Sequence, residues 1–403
     1  MSQENLLEKW EPVLKADKVE PISDPHRAKV TATLLENQER ALLTEASNTT
    51  AGVENWDPVL ISLVRRMAPK LIAYEFCGVQ PMTQPTGLVF ALRARYAQTP
   101  PNTGVQTGAE ALFNEANTAY SGTGSHVGDD PWDVGFSTGT GMATATGEAS
   151  TAWNSMGVTI EKTSVTATTS QLRADYSPEL AQDMRAVHGL EADQELANIL
   201  SSQVISEVNR RVVRVAYTVA KPGAQWAGIT TPGTYDLNSD ADGRWSVERF
   251  KGLRFAIERD ANAIAIESRA GKGNVIITSS DVASALAMAG VLDYAPALQA
   301  STNLEVDAAG VAYSGNMGRF KVFVDPYLGS DGYVVLYKGA NQYDAGFFYC
   351  PYVPLQLFRA TDVSNFHNAI GFKTRYGLVA NPFTSLTANS NYYFRKVKVT
   401  SLF

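Results

Sequence analysis

The sequence predicts an α+β protein with one long helix and one long excursion between two strands. Apolar residues recur at every fourth position from Leu196 to Val212, as they do on one face of a helix. Two strand-like runs, 88–96 and 158–167, enclose a segment rich in Gly, Ser, Thr and Asn. Short β-branched and aromatic runs, separated by turn residues, follow in the C-terminal half. Together these patterns indicate mixed helix and sheet, and we find no internal repeat.

The composition excludes several classes of protein. The 403 residues are 44% hydrophobic and 19% charged, which is typical of an ordered chain of two to three domains. A net charge of −7 argues against general nucleic-acid binding, which needs a surplus of Lys and Arg. Cys77 and Cys350 match no metal or disulfide pattern and suit a reducing cytosol. Neither a signal peptide nor an apolar run near the ~20 residues of a membrane helix is expected.

The acidic charge is concentrated in residues 96–161. This segment contains no Lys or Arg, and the 34 acids outside it balance the 34 bases of the chain. A loop of this length inside a domain is usually functional, mobile or held by a partner. It is either a solvated loop or an extended arm that a neighbouring subunit covers, and its flanking strands favour a hairpin-like flap. Its acids are Glu110, Glu115, Asp129, Asp130, Asp133, Glu148 and Glu161.

The N-terminal elements are predicted from charge, proline and capping residues. Residues 1–45 carry nine acids and six bases and read as helix broken at Pro12, Pro21 and Pro25. A neutral hinge, 46–52, follows. A helix is then expected to start at Asp57, with Pro58 in its first turn.

A long helix is predicted beyond the flap. Ser177-Pro178 is a helix start, His188-Gly189 is an expected break, and the apolar stripe continues over 191–218. This unbroken portion would be about 42 Å long. Further helices are predicted at 247–262 and 281–288. Strands are predicted at 274–278, 322–324, 333–337, 372–378 and 392–399.

Catalytic patterns are missing from the sequence. The four histidines, His26, His126, His188 and His367, show no metal-protease spacing, and no nucleophile elbow occurs. Gly271-Lys272-Gly273 lacks the flanking residues of a phosphate loop and is read as a surface turn. An aromatic stretch at 343–366 fits a core or a subunit interface better than a ligand platform. The sequence therefore predicts no enzyme, no metal and no cofactor.

Three longer runs carry a resemblance to a known family. Residues 56–74, 78–96 and 172–183 are similar to the major capsid protein of T-even-like contractile-tailed bacteriophages, as are the shorter runs 187–190 and 195–200. The resemblance implies the Hong Kong 97-type phage capsid fold, with an N-terminal arm, an extended loop, a peripheral domain with a long spine helix, and an axial domain. This chain is shorter than the best-known members, which carry an insertion in the extended-loop region; residues 97–157 are too short and Gly-rich for a full one.

The resemblance also implies a division of the chain. It consists of a propeptide-like leader (1–45), an N-terminal arm (46–85), the extended loop (86–176), the peripheral domain (177–269), the axial domain (270–365) and C-terminal strands of the peripheral domain (366–403).

The implied function is structural. Copies would assemble into hexamers, with pentamers left open, and form an icosahedral head that encloses DNA without binding it specifically. Implied partners are neighbouring capsomers and the scaffold, prohead protease, portal, vertex and decoration proteins. Assembly would take place in the host bacterial cytoplasm, and the product would be part of the virion. The alternatives are the paralogous pentameric vertex protein and an encapsulin-like compartment shell.

Two sets of site residues follow from the same resemblance and from the charge pattern. Prohead proteases of this family cut after Glu in a Leu/Ile-x-Glu pattern, and Leu43-Thr44-Glu45 places the cut before Ala46. The pattern recurs at Glu8, Glu36 and Glu207, so exposure must select the site. The acidic flap predicts contacts to a basic surface on a neighbour or a decoration protein, through Glu110, Glu115, Asp129, Asp130, Asp133 and Glu148.

Overall fold

The computed structural model describes residues 3–15, 22, 24–46, 71–97, 108–113, 115–128, 130–150, 153–241, 243, 245–290, 292–294, 312–361 and 367–402. The chain divides into two compact units. The larger unit comprises residues 1–87 with 164–403, and we call its part beyond the leader, 46–87 with 164–403, the body; residues 88–163 are the hairpin unit.

Helices and strands occur together, which confirms the predicted α+β class. The helices are α1 (Gln3–Leu14), α2 (Pro25–Ala46), α3 (Ala73–Phe76), α4 (Thr144–Ala149), α5 (Pro178–Asp183), a π-helical turn (Met184–His188), α6 (Ala192–Val219), α7 (Ser246–Ser268) and α8 (Ser280–Met288). The strands are β1 (Gly78–Val79), β2 (Thr86–Tyr96), β3 (Met156–Thr166), β4 (Thr168–Tyr176), β5 (Ala220–Pro222), β6 (Thr234–Asp236), β7 (Val275–Thr278), β8 (Asp293–Tyr294), β9 (Ala312–Met317), β10 (Phe320–Val324), β11 (Gly332–Leu336), β12 (Phe347–Thr361), β13 (Asn368–Ala380) and β14 (Asn391–Thr400).

The larger sheet of the body forms the centre of its core. Its strand order is β5-β14-β11-β7-β10-β9-β8, and β6 also pairs with β14. Every residue of β7 and β11 is buried. Strands buried on both faces are continuously apolar, which explains why 274–278 and 333–337 were predictable as strands. Helix α7 packs on β14 and β11 and extends six residues beyond its predicted end.

The long helix is confirmed as α6, with its bounds one residue from those predicted. Its apolar stripe, which includes Leu200, Val204 and Val212, is buried in the body. The predicted break before it is also present. The π-helical turn ends at Gly189, whose φ of 67° lies in the left-handed region that glycine adopts easily.

The smaller sheet of the body has the order β1-β12-β13-β4. Its longest strand, β12, is absent from the sequence-based prediction, and it contains Pro351 and Pro354, which are disfavoured inside a strand. The strand tolerates them through register shifts on either side of Val353. It contains most of the aromatic stretch. Phe347, Phe348 and Tyr349 are buried in agreement with the core prediction, whereas Tyr343 and Phe358 are exposed; Phe366 lies outside the described residues.

The leader is a pair of packed helices, α1 and α2. The predicted break at Pro12 is wrong, because Pro12 lies inside α1, which runs on to Leu14. The burial of Trp10 and Leu14 on either side of the proline accounts for the continued helix. Pro25 is the first residue of α2, a position that proline favours. Pro21, the hinge beyond Ala46 and the helix predicted from Asp57 lie outside the described residues.

The hairpin unit is built on β2 and β3, which pair as a two-stranded sheet. The predicted pairing of the two flanking runs is therefore confirmed. The connecting segment contains the short helix α4 and isolated bridges between Thr123 and Thr140 and between Val127 and Ser137. The strand that follows, β4, pairs with β13 of the body.

Candidate assembly surface

The two strands of the hairpin unit have a polar face that is internally neutralised. Arg95 contacts Glu161 at 2.9 Å and donates from Nε to Thr159 Oγ1 at 3.2 Å. Arg93 lies 3.2 Å from Glu161 and 3.7 Å from Glu110. These side chains are all partly buried. Glu110 and Glu161 therefore have cationic partners inside the unit, and Glu110 is less available for a contact with another chain than its sequence context predicted.

The opposite face of the same two strands is apolar and exposed. Successive side chains of a strand point to opposite faces, so residues that alternate with Arg93 and Thr159 share the other face. Ile160 and Leu92 on this face are 67% and 68% exposed. We call this surface the apolar face; its members are Leu88, Phe90, Leu92, Met156, Val158 and Ile160.

The predicted acidic contacts are distributed around the connecting segment. Glu115, Asp130, Asp133 and Glu148 are exposed. Asp130 accepts a hydrogen bond from the backbone N–H of Trp132 at 3.0 Å, which shapes the local turn. None of these four carboxylates forms an ion pair with a Lys or Arg in the part of the chain that is described. Asp129 lies outside that part.

Large apolar side chains in the connecting segment extend the candidate surface. Trp132 is 90% exposed, and Leu112, Val134 and Trp153 are also exposed. The segment is held at its base, where Tyr120 donates to the Ser155 carbonyl at 2.6 Å. Exposed tryptophans are enriched where proteins contact one another. Their residue types were visible in the sequence, but their exposure was not.

The candidate cleavage site lies at the end of α2. Glu45 and Ala46 are its last residues, and their side chains lie outside the described set. The competing site at Glu36 is buried and paired with Lys9 at 2.9 Å. Burial acts to raise the pKa of Glu36, but the hydrogen bond and charge of Lys9 outweigh it, so that the pKa lies below its usual value. Glu207 lies inside α6, next to the buried Ile205. Burial therefore shields Glu36 from a protease, whereas Glu207 is exposed in the interior of its helix.

The described residues assemble no metal-binding cluster, and both cysteines are buried. Among them, no three His, Cys, Asp or Glu side chains converge as metal ligands. Burial raises the pKa of Cys350 to about 12 and that of Cys77 well above its usual value, which keeps both thiols protonated and poorly nucleophilic. The helices in the described ranges include none long and apolar enough to cross a membrane.

A known protein family matches most of the chain. The family described as "Major capsid protein Gp23" matches residues 53–399. The major capsid protein of Salmonella phage ViI is 38% identical, over 99% of this chain and 98% of that protein. That of Vibrio phage KVP40 is 34% identical over 99% of this chain and 100% of its own length, and that of Enterobacteria phage T4 is 32% identical over 98% of both.

The alignments also bear on chain length. Those with the KVP40 and T4 proteins extend over 519 and 515 positions, more than the 403 residues here, so these relatives carry residues that this chain lacks. Solved phage capsids are similar at low sequence identity. The capsid of Myoviridae phage XM1 has a TM-score of 0.42 and 9% identity, and covers 80% of this chain and 90% of its own. An empty GTA particle capsid has a TM-score of 0.40 and 10% identity, covering 90% and 99%.

Proposed function

Because this chain belongs to the family of phage major capsid proteins, we propose that it builds the head shell through the apolar face of its hairpin unit. The observation that carries this proposal is the exposure of six apolar side chains on one side of a two-stranded ribbon. Fully burying one such side chain is worth about 1.5–3 kcal/mol. Cover by a neighbouring copy would therefore make a large favourable contribution to assembly.

The architecture of the hairpin unit supports a neighbouring copy as that cover. A two-stranded ribbon is marginally stable by itself in water. Its polar face is neutralised by Arg93 and Arg95 and needs no partner. A closed shell repeats the same contact on every copy, so contacts that are weak individually become strong together. Hexameric rings are the arrangement that we propose, with pentamers left open.

The test is a pair of matched isoleucine substitutions. Ile160 on the apolar face is 67% exposed, and Ile266 on α7 of the body is 64% exposed. Ile160→Ser is expected to reduce the yield of assembled particles in sedimentation, while thermal unfolding of the unassembled subunit stays unchanged. Ile266→Ser serves as the control and should assemble normally. Normal assembly of Ile160→Ser would argue against the apolar face as a subunit contact.

The acidic residues are proposed as a second, electrostatic contact. Glu115, Asp130, Asp133 and Glu148 are exposed and suited to a basic surface on a neighbour or a decoration protein; we keep Asp129 and Glu110 in the set, with Glu110 already partnered. Exposed charge pairs weaken as salt rises, because the screening length falls to about 3 Å at 1 M. High salt should therefore loosen the shell at these loops, and unchanged shell stability would contradict this contact.

Processing of the leader is proposed at Glu45–Ala46. Glu45 lies one residue before the end of α2, whereas Glu36 is buried and Glu207 lies near the middle of α6. The intact mass of the protein from purified particles tests this. Loss of residues 1–45 would support maturation by a prohead protease, and a full-length mass from DNA-filled heads would rule it out.

The predicted division of the chain is retained as a proposal. The compact hairpin unit, 88–163, falls within the proposed extended loop, 86–176. Helix α6 suits the spine helix of the peripheral domain, 177–269. Strands β7 to β11 of the proposed axial domain, 270–365, share a sheet with β14 of the C-terminal part, 366–403. Residues 1–45 and 46–85 are the proposed leader and N-terminal arm.

The remaining partners follow from the proposed role in head assembly. A shell protein of this family would meet scaffold, protease, portal, vertex and decoration proteins, and would assemble in the host bacterial cytoplasm. It would enclose DNA without specific binding, in keeping with its net charge of −7. The family is structural and not an enzyme class. No observation favours the vertex protein or an encapsulin-like shell.

A further inference from the structure

The two helices of the leader hold each other through their own small core. Trp10 and Leu14 of α1 pack with Ala32 and Leu35 of α2, and all four are buried. Lys9 bridges to Glu36 at 2.9 Å and also pairs with Glu39. The leader therefore has the contacts of a helical hairpin that does not depend on the body for its internal packing.

A second side of α2 lies against the body. Val30 and Leu34 are buried in the main core of the body. Their burial removes apolar surface from water on both the helix and the body, and this is the principal attraction between the two.

Polar contacts fix the position of α2 on the body. Asn37 donates from Nδ2 to the Met82 carbonyl at 2.7 Å and to the Tyr352 carbonyl at 2.9 Å. Arg27 lies 3.3 Å from Glu75 and 4.8 Å from the centre of the Tyr74 ring. We call the receiving surface the leader seat; it consists of Tyr74, Glu75, Met82 and Tyr352.

Every one of these contacts comes from residues 27–37 of α2, which precede the proposed cut after Glu45. Cutting the chain anywhere from 45 to 70 breaks a covalent connection but none of the contacts on the leader seat. After such a cut, the leader is a separate peptide that already occupies its binding site.

The fit between leader and body is incomplete on one side. A cavity of about 760 Å³ lies between α2 and a loop of the body, and its lining includes Lys29, Thr33, Lys338 and Asp344. Interiors that are permanent are normally close-packed, with few voids larger than a water molecule. The cavity leaves α2 incompletely packed on this side, so fewer contacts hold the leader than would hold a close-packed layer.

We propose that the leader seat is a binding site for an amphipathic helical hairpin, and that the leader stays bound to it after the chain is cut. A tethered leader rebinds at an effective concentration in the millimolar range, whereas a cut leader rebinds only at its bulk concentration. Cutting thus makes the leader exchangeable, and its departure is a separate step driven by dilution or competition. This inference stands whether or not Glu45 is the natural cleavage site.

The experiment uses the full-length subunit with the recognition sequence of a site-specific protease placed after Ala46. After cutting, gel filtration at micromolar concentration should show the leader eluting with the body. A fluorescent synthetic peptide of residues 1–46 should then exchange into the cut complex, which gives the affinity. If the wild-type leader separates from the body at once, the proposal is overturned.

Two variants test the seat. Asn37→Ala removes two hydrogen bonds and leaves two carbonyls without that donor, so the affinity should fall about tenfold or more. Lys15→Ala is the matched control, because it breaks only an exposed pair with Glu11 inside the leader. It should bind like wild type. Glu75→Gln weakens the pair with Arg27 from the side of the body. Circular dichroism before cutting shows whether each variant folds, so Glu75→Gln still tests the seat if Asn37→Ala misfolds. Equal affinities for all of these proteins would refute the assignment of the seat.

Discussion

Strands β11 and β2 have similar apolar sequences and opposite surroundings. Residues 332–336 of β11 are buried along their whole length in the centre of the body sheet. On β2 in the hairpin unit, Leu88, Phe90 and Leu92 are all more than half exposed. The two patterns are alike because each strand contains an unbroken apolar run, 333–336 in β11 and 88–92 in β2. The difference is that β11 is covered within its own chain, whereas the described residues leave the apolar face of β2 exposed, and we propose that a neighbouring copy covers it.

The cover in the body comes from helices that the same sequence encodes. Helix α7 packs against β11 and β14 through residues such as Leu253 and Ile257, both fully buried. The connecting segment of the hairpin unit is rich in Gly, Ser and Thr and provides no such helix for the apolar face among its described residues. Apolar strands thus serve folding in the body, and the proposed subunit contact would make them serve assembly in the hairpin unit.

The largest expected effect is on the free energy of unfolding, and it should differ between a buried and an exposed phenylalanine. Phe394 of β14 is fully buried and meets Phe347 edge to face, whereas Phe90 is 60% exposed. Phe394→Ala is expected to lower the free energy of unfolding of the unassembled subunit by about 3–5 kcal/mol, because it leaves a cavity. Phe90→Ala should change it by less than about 0.5 kcal/mol. Urea titration of both variants provides the measurement.

Assembly should rank the same two variants differently. Phe90→Ala subunits should fold normally and form fewer particles, since their defect lies in the contact between copies. A Phe90→Ala variant that unfolds as easily as Phe394→Ala would mean that the hairpin unit is covered within its own chain, and the comparison would fail.

Ion pairs give a second and smaller contrast. Asp325 of the body is fully buried and accepts from Arg210 and from the Tyr217 hydroxyl, each at 2.6 Å. Its replacement by Ala leaves both donors without that acceptor, and a loss of about 3 kcal/mol is expected. Glu161→Ala in the hairpin unit removes pairs that remain partly exposed, and each is worth about 0.2–1 kcal/mol.

Salt distinguishes the two sites further. The contribution of Glu161 should shrink between 0.05 and roughly 1 M salt because exposed pairs are screened, and that of Asp325 should persist. Urea titrations of each variant against wild type at both salt concentrations measure this. Equal salt sensitivity would show that the two environments do not differ as their exposure indicates.

The fold was predictable where the pattern within one element is sufficient. Helix α6 has a stripe repeated over seven turns, and its ends were predicted to within one residue. The same holds for β7, whose four residues are all apolar or β-branched and buried. In both elements the pattern of apolar residues matches the pattern of burial, so the local sequence alone is enough to predict them.

Features that depend on distant residues were not predictable. The pairing of Arg95 with Glu161 joins positions 66 apart, and the sequence alone assigned Glu161 only to an acidic segment. The register shifts that let β12 accommodate Pro351 depend on its neighbour β13. Likewise, the leader could be recognised as helical, but its seat on Met82 and Tyr352 requires knowledge of the fold.

The smallest predicted contrast concerns the pH dependence of stability. It compares a buried carboxylate of the body with the exposed carboxylates of the hairpin unit. Asp260 of α7 is 1% exposed and accepts from the Tyr333 hydroxyl at 2.7 Å and the Ala224 N–H at 2.9 Å. Burial raises its pKa, although these bonds and the charges of Arg395 and Arg259 oppose the shift. The folded state therefore binds this proton more tightly than the unfolded state does.

The sign of the pH effect follows from that difference. The contribution of Asp260 to stability is greatest below its unfolded pKa of about 3.9 and declines as pH rises through the higher folded value. Relative to Asp260→Asn, which cannot titrate, the wild-type protein should lose unfolding free energy across this interval. Tyr333→Phe keeps the titrating group and removes a bond that lowers its pKa, so the decline should persist and move to higher pH. A difference between wild type and Asp260→Asn that is constant with pH would show that water reaches this carboxylate, as it reaches those of the hairpin unit.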